Sequence, residues 1–186
     1  GLRVVMPSTV ADARDLLIAS VLCNDPVMYI DDRWLYDQED ELPPVVELDL
    51  AIQRPAVSLI GDDITIVASG HSSLLAREAA QQLKNKGVSV EVVDVRVLNP
   101  FHAEIIIESV KKTKNLLVVD SGWISGGFSA EIIAKVVEQL PVDCLSNPPV
   151  RIALPDAPAP TSRVLEKAYY TSTDNVVEAV RKILKK

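Results

Sequence analysis

The alternation of short apolar runs with helical patterns constrains the fold of this 186-residue chain more than any other feature of its sequence. The run Ile64–Ala68 precedes a segment in which Leu75, Ala79 and Leu83 fall on one helical face, and this order of elements then repeats. The unbroken apolar run Leu116–Val119 is typical of a central parallel strand, because such strands are covered on both faces. The pattern therefore predicts an α/β fold: an open, mainly parallel sheet with helices on both faces.

Most of the chain can be divided into strands and helices on this basis. Gly61-Asp62-Asp63 lies between two apolar runs and predicts a three-residue hairpin loop that joins them as adjacent strands. Gly87 follows a helical pattern and is placed to end it. The expected strands cover residues 56–60, 64–68, 88–95, 116–119 and 150–154, and the expected helices cover residues 73–86, 101–112, 126–140, 164–169 and 176–184.

The opening of the chain has a separate β-α-β pattern. Leu2–Met6 and Val27–Ile30 are apolar runs, and Thr9, with Asp12 three residues later, can cap a helix between them. Two strands joined by a helix lie parallel, and parallel strands need cover on both faces. A unit of about 30 residues is too small to provide that cover. We therefore expect it to need further partners, and to self-associate or stay disordered without them.

An acidic, proline-containing segment follows this unit. Residues 1–56 hold 11 acidic and 4 basic side chains, so the net charge of −7 lies entirely in the first third of the chain. Pro43, Pro44 and Pro55 interrupt the segment and indicate an interdomain connection. Its acidic cluster is interpreted as a solvated loop or, alternatively, as a strip that docks a basic partner.

Composition excludes several classes of protein. Apolar residues make up 48% of the chain and charged residues 24%, as in soluble globular proteins. The absence of a basic face and the low aromatic content of 4% argue against nucleic-acid binding. Cys23 and Cys144 do not cluster with the two histidines and are interpreted as reduced thiols of an intracellular protein rather than as zinc ligands. No run approaches the roughly 20 apolar residues that span a membrane, and a signal-peptide layout is missing.

Candidate ligand-binding residues lie where the predicted parallel strands end, because open α/β sheets bind ligands there. Two of these segments enter helices, whose free N–H groups favour anions, and Ser72, Ser73, Gly126 and Gly127 form a hypothetical anion or small-molecule site. The two glycines lack the spacing of a nucleotide-binding loop, and close packing is the alternative interpretation. His71 is interpreted either as a general base or as a solvated polar residue. The strand-end segments are residues 69–73, 94–96, 120–122 and 155–156.

Seven motifs, in order, carry a resemblance to one enzyme family. They are GLRVVMPSTVADA (1–13), NDPVMYIDDRWLY (24–36), ITIVASG (64–70), VVDVRVLNP (92–100), SVKKTKNLLVVD (109–120), GGFSAEI (126–132) and VRIALPDAP (150–158). With them the chain resembles the β subunit of thiamine-diphosphate-dependent 2-oxoacid dehydrogenases of the transketolase-like group. Each motif is weak by itself, but their common order and spacing cover essentially the whole chain.

The resemblance implies an architecture and a set of partners. Residues 1–42 would be the trailing part of an α/β pyrimidine-binding domain, residues 43–55 a linker, and residues 56–186 a complete transketolase C-terminal domain. Such β subunits assemble with an α subunit and a second β subunit, and the family hands its acyl product to a dihydrolipoyl acyltransferase. The compartment would be the cytoplasm or, in a eukaryote, the mitochondrial matrix or a plastid.

The resemblance also implies a reaction, the oxidative decarboxylation of a 2-oxoacid with thiamine diphosphate and magnesium. The family glutamate that activates the cofactor belongs upstream of these residues. The resemblance therefore assigns no catalytic and no cofactor-binding residue to this segment, and it predicts that the segment is inactive by itself. A related transketolase-like enzyme, of the deoxyxylulose-phosphate synthase or acetoin dehydrogenase type, and a stand-alone anion-binding domain are the alternatives.

One metal site is implied by the resemblance. Family members hold a structural monovalent cation such as potassium at a turn that corresponds to Ser20, Val21, Cys23 and Asp25. Cys23 stands where an aspartate is usual, and hard cations prefer oxygen to sulfur, so such a site would depend on backbone carbonyls. The segment Leu145–Pro148 also lacks the acidic residue common in the family, which weakens the expectation of docking a basic acyltransferase segment.

Overall fold

The computed structural model describes residues 1–185, and these residues form two β-sheets with α-helices packed against them. The strands are β1 (Arg3–Val5), β2 (Val27–Tyr29), β3 (Ala56–Leu59), β4 (Ile64–Ala68), β5 (Val90–Asp94), β6 (Val97–Asn99), β7 (Leu116–Trp123) and β8 (Val150–Leu154). The helices are α1 (Val10–Leu22), α2 (His71–Lys84), α3 (Glu104–Thr113), α4 (Phe128–Gln139), α5 (Arg163–Tyr169) and α6 (Thr173–Leu184), with a 3-10 turn at Arg33–Leu35.

The larger sheet has the strand order β3-β5-β4-β7-β8 and is parallel except for β3. On one face, Ile64 and Ile66 of β4 pack in a cluster with residues of α2 and α6. On the other face, Val67 packs with residues of α3 and α4. The predicted open, mainly parallel sheet with helices on both faces is therefore confirmed.

The predicted hairpin between β3 and β4 is wrong. β5 lies between these two strands, antiparallel to β3 and parallel to β4. The fully buried β4 already has β5 on one edge and β7 on the other, so no edge remains for β3. The connecting Gly61 instead packs on the end of β5, where a Cβ atom would lie 2.2 Å from the carbonyl carbon of Val90. Loop length alone does not reveal an inserted third strand.

The smaller sheet has the order β2-β1-β6. β1 and β2 are parallel, as predicted, and the Thr9 hydroxyl caps α1 by accepting a hydrogen bond of 3.1 Å from the Asp12 amide. β6, which the sequence pattern did not predict, pairs antiparallel with β1. It begins directly after Arg96, which has a positive φ of 57°.

The core of the smaller sheet is completed from within the chain. Leu50, from the segment interpreted as a linker, is only 2% exposed, and Val97 of β6 is also buried. Both pack against residues of β1 and α1. The expected need for outside partners is therefore met in part by the chain itself. The outward surface of α1 remains exposed, with Val21 at 77%.

Residues 43–55 lie along the surface and are held by side chains from both sides of the connection: from the N-terminal unit that contains β1, α1 and β2, and from the part of the chain after residue 55. Arg14 Nη1 donates to Pro43 O at 2.7 Å, and Arg96 Nη2 donates to Arg54 O at 2.8 Å. His102 Nε2 lies 3.1 Å from Ala51 O. The connection is thus docked onto the fold rather than suspended in solvent.

Candidate functional site

A cavity of about 230 Å³ opens near the carboxyl ends of β4, β7 and β8, as expected for an open α/β sheet. We call it the carboxyl-end cleft. It lies between the larger sheet and the 3-10 turn that follows the smaller sheet. Its lining residues are Asp32, Trp34, His71, Ser72, Leu75, Asp120, Ser121, Leu154, Tyr170 and Thr171.

The start of α2 forms one wall of the cleft. Gly70 precedes this helix with a positive φ of 53°, and a Cβ there would lie 2.5 Å from the Met6 side chain. Asp32 Oδ2 accepts a hydrogen bond of 3.1 Å from the His71 amide, and Asp32 Oδ1 accepts one of 3.2 Å from the Trp34 amide. A carboxylate of the chain itself therefore occupies the helix end at which an anion was expected.

The start of α4 is capped in the same manner. Asp120 Oδ2 accepts from the Ser129 amide at 2.7 Å, and Oδ1 accepts from the Gly122 amide at 2.8 Å. A Cβ on Gly127 would lie 2.2 Å from Trp123 O, so this glycine is a close-packing position. The helix end is thus already paired with a negative charge.

The four residues of the hypothetical anion site do not converge on one point. Ser72 lines the cleft, with its hydroxyl 2.9 Å from that of Ser121. Ser73 is fully buried, and the two glycines at positions 126 and 127 lie outside the cleft lining. Anion binding at these residues stays a prediction, and the two capping carboxylates weigh against it because they place negative charge at both helix ends.

Aromatic rings meet at the rim of the cleft. Trp34 stacks on His71 with ring centroids 5.5 Å apart, and Tyr170 lies 6.0 Å from Trp34. Tyr169 contacts Tyr170, and Trp123 Nε1 donates to the Tyr169 hydroxyl at 3.1 Å. His71 Nδ1 is buried and has no hydrogen-bond partner among residues 1–185.

A buried polar cluster joins the two regions at the end of β5. Asp94 is 2% exposed and accepts a hydrogen bond from the Ser8 hydroxyl, while Arg77 Nη2 donates to Ser8 O at 3.2 Å. Burial raises the pKa of Asp94 to about 6, and the hydrogen bond from Ser8 opposes part of that rise. Arg96 and Asp12 form an ion pair of 2.9 Å nearby. This cluster connects the N-terminal unit to the larger sheet.

The side chains at the implied cation site have partners of their own. Ser20 Oγ donates to Leu16 O at 2.6 Å, and Asp25 pairs with Arg3 at 2.6 Å. The adjacent guanidinium repels a cation, so a cation near Val21 and Cys23 would have to rely on backbone carbonyls. Within the described part of the chain, no three His, Cys, Asp or Glu side chains are grouped as metal ligands. The cation site stays a prediction.

Sequence reasoning identified His71, Ser72 and Asp120 near the cleft but missed the wall that Asp32, Trp34 and Tyr170 provide. Asp32 and Trp34 lie in the segment interpreted as an acidic loop, and Tyr170 follows a short helix. One signal was available, because Asp32 follows β2 almost directly and parallel strands carry ligand-binding residues at that end. Nothing in the sequence pattern placed that end against the larger sheet.

Comparison with known proteins gives consistent matches. Residues 56–176 match the family described as "Transketolase, C-terminal domain". The chain is 37% identical to the mitochondrial pyruvate dehydrogenase E1 component subunit beta of Caenorhabditis elegans, over 99% of this chain and 53% of that protein. It is 33% identical to the acetoin:2,6-dichlorophenolindophenol oxidoreductase subunit beta of Bacillus subtilis (strain 168), over 99% of this chain and 56% of that protein.

A solved structure agrees with these sequence matches. The split gene transketolase described as an inactive beta4 tetramer superimposes with a TM-score of 0.76 at 25% identity, covering 99% of this chain and 57% of that chain. The chain spans about half the length of the curated relatives it matches. The matches confirm the resemblance to β subunits that the seven motifs predicted.

Proposed function

The chain belongs to the transketolase C-terminal-domain family, and from that premise we propose that it is part of the β subunit of a thiamine-diphosphate-dependent 2-oxoacid dehydrogenase. Its role there is subunit assembly and partner docking, without a complete active site of its own. The match over 99% of the chain carries this proposal, because it includes residues 1–55, which the family model does not cover.

The residues of the carboxyl-end cleft do not fit the diphosphate of thiamine diphosphate. A diphosphate needs cationic side chains or free N–H groups, but among residues 1–185 the cleft is lined by the carboxylates of Asp32 and Asp120 and by no lysine or arginine. The His71 amide in the first turn of α2 and the Ser129 amide in the first turn of α4 are already paired with the two carboxylates. The cofactor machinery is therefore assigned to other parts of the complex, and the chain alone is expected to be inactive.

The exposed surface of α1 supports the assembly role. Leu17, Val21 and Leu22 are exposed on this helix, and Met28 is exposed on the adjacent edge strand β2. Contiguous apolar surface of this kind marks protein interfaces. The proposed partners are an α subunit and a second β subunit. The dihydrolipoyl acyltransferase has less support, because Leu145–Pro148 offers no acidic side chain to a basic segment.

The compartment in which the chain works is proposed from its relatives. The matched relatives include a mitochondrial and a bacterial protein. In residues 1–185 the longest apolar helices fall short of what a membrane crossing requires. We propose that the chain works in the mitochondrial matrix, or in the cytoplasm of a bacterium, alongside its α subunit.

Co-expression of the chain with the pyruvate dehydrogenase α subunit of the same organism tests the proposal. We expect a stable complex by size-exclusion chromatography with light scattering. Val21→Glu should abolish that complex because it buries a charge in the interface, whereas Val142→Glu, at a fully exposed valine outside α1, should leave it intact. The chain alone, with thiamine diphosphate, magnesium, pyruvate and a dye acceptor, should show no turnover.

Two results would contradict the proposal. Turnover of pyruvate by the isolated chain would show that it holds the cofactor itself. Equal complex formation by Val21→Glu and Val142→Glu would show that the α1 surface is not used. Circular dichroism of both variants separates lost assembly from lost folding.

An acetoin-cleaving enzyme is the second candidate, and the match to the Bacillus subtilis acetoin oxidoreductase subunit favours it. The two candidates differ in substrate rather than in the role of this chain. Co-expression of the chain with each type of α subunit, followed by size-exclusion chromatography, distinguishes them. The α subunit with which the chain forms a stable complex identifies the parent enzyme.

A further inference from the structure

The carboxyl-end cleft is negatively charged. Asp32 and Asp120 line it, and none of the lysines or arginines among residues 1–185 does. Neither carboxylate forms a salt bridge within residues 1–185. Each caps a helix N-terminus, which offsets roughly half an elementary charge. About one unit of negative charge is left, so the cleft favours a cation over an anion.

Aromatic faces adjoin these carboxylates. The chain has two Phe, two Trp and four Tyr, and both tryptophans and two of the tyrosines form one contact chain at this end of the sheet. Trp34 is mostly exposed, and it stacks on His71 while contacting Tyr170. Ring faces attract cations that lie within about 6 Å of the ring centre. Aromatic faces beside carboxylates are the surroundings that hold ammonium groups in proteins.

One further group in the cleft lacks a partner. His71 Nδ1 is buried and makes no hydrogen bond within the described residues. A neutral imidazole nitrogen can accept a hydrogen bond from the hydroxyl or the N–H of a small ligand. The cavity of about 230 Å³ is smaller than the roughly 300–1,000 Å³ of pockets for drug-sized ligands, which limits the occupant to a small molecule.

From these observations we propose that the carboxyl-end cleft binds a small organic ammonium ion. The charged group lies against the faces of Trp34 and Tyr170, with the carboxylates of Asp32 and Asp120 balancing its charge. This inference stands independently of the proposed β-subunit role, because it rests only on the cleft. It also replaces the anion expected at Ser72 with a ligand of opposite charge.

Tryptophan fluorescence with choline as the probe tests the proposal. In a Trp123→Phe chain, Trp34 is the sole tryptophan and reports on the cleft directly. We expect choline to change its emission saturably at constant ionic strength. The neutral isostere 3,3-dimethylbutan-1-ol and sodium phosphate should produce no saturable change. Calorimetry on the unsubstituted chain checks that the Phe substitution has not altered binding.

Two variants test whether the charge of Asp32 and the ring of Tyr170 contribute to choline binding. Asp32→Asn should weaken choline binding roughly fivefold, because it removes one of the two charges that face the ligand. Asp156→Asn is the matched control: Asp156 also accepts two hydrogen bonds, both from Ser125, but lies outside the cleft. Tyr170→Leu should weaken binding to a similar degree as Asp32→Asn, and it leaves both helix caps in place.

The proposal is overturned if choline gives no saturable response, or if phosphate or the neutral alcohol binds as well as choline. Equal weakening by Asp32→Asn and Asp156→Asn would also overturn it, since that points to a general charge effect. Thermal melts of each variant identify loss of folding. If the Asp32→Asn variant does not fold, Tyr170→Leu provides the test instead. Choline binding by Tyr170→Leu that is as tight as binding by the natural chain would overturn the proposal.

Discussion

The two sheets of this protein are buried in different ways. In the larger sheet, β4 and β5 are buried along all five of their residues, beneath helices on both faces. In the smaller sheet, β1 has one buried residue, Val5, and β2 has none. Its core is completed by Leu50 and Val97, which lie far from the opening unit in sequence. A short β-α-β unit can therefore be stabilised by distant residues of the same chain.

The difference extends to the helices. α2 and α6 face each other and bury their apolar stripes over the larger sheet. α1 buries Leu16 and Ala19 but leaves Leu17, Val21 and Leu22 in solvent. The larger region thus buries the apolar stripes of its facing helices, whereas the smaller region leaves apolar side chains of α1 exposed.

The largest effect on stability is expected from Gly61→Ala, which disturbs backbone packing in the larger sheet. A Cβ there would lie 2.2 Å from the carbonyl carbon of Val90 and 2.4 Å from its oxygen. Because these are backbone atoms at the end of a central strand, we expect a loss of about 4 kcal/mol in the free energy of unfolding, measured with urea. Gly87→Ala is the control: it has a positive φ but open space around it, and should cost about 1 kcal/mol. Equal costs would show that the close approach is not rigid.

Leu50→Ala should affect mainly the smaller region. It leaves a cavity between α1 and β6 that we expect to cost about 3 kcal/mol. Hydrogen exchange should accelerate in β1 and α1 while β4 and β5 stay protected, because the larger sheet does not use this residue. Ile52→Ala, at a residue that is 70% exposed, should change stability by less than about 0.5 kcal/mol. Uniform acceleration in both sheets would mean that the two regions unfold as one.

Asp94 tests the contact between the regions through pH. Its folded-state pKa of about 6 lies above the ordinary carboxyl value, so between these values the folded chain binds more protons than the unfolded chain. The stabilisation from the protonated form is complete below about pH 4 and is lost as the pH rises through about 6.

Relative to Asp94→Asn, the natural chain should therefore lose about 2 to 3 kcal/mol of stability between pH 4 and pH 7. Urea unfolding across this range measures the difference. Asp62→Asn, at a carboxylate that is 78% exposed, is the control for the loss of one negative charge. A stability difference for Asp94→Asn that rises with pH would show that the Ser8 and Arg77 contacts outweigh burial.

Periodicity was sufficient to predict the larger sheet because its elements are long and their apolar faces repeat regularly. Periodicity did not predict two features, and each has a physical reason. β6 has three residues and follows the left-handed Arg96, and its partner β1 lies more than ninety residues earlier, as the pairing of Val4 with Asn99 shows. The position of β5 between β3 and β4 likewise depends on tertiary packing, which no local pattern encodes.

The cleft was predictable only in part. The strand-end rule correctly placed His71, Ser72 and Asp120 at one edge of the sheet. It did not predict that Asp32 and Trp34, which follow β2, line the other side of the cleft. Their contribution changes the charge of the cleft, and with it the kind of ligand expected there.

The pairing of β1 with β6 has a consequence for how the chain can be divided. β5 of the larger sheet ends at Asp94, and β6 of the smaller sheet begins at Val97. Only two residues therefore separate a strand of one sheet from a strand of the other. If the exposed backbone around residues 37–47 were cut, the first polypeptide would keep Val5 and Leu16 while the second kept Leu50 and Val97. The two pieces should then stay together and reassemble from separate chains, each supplying half of one small core.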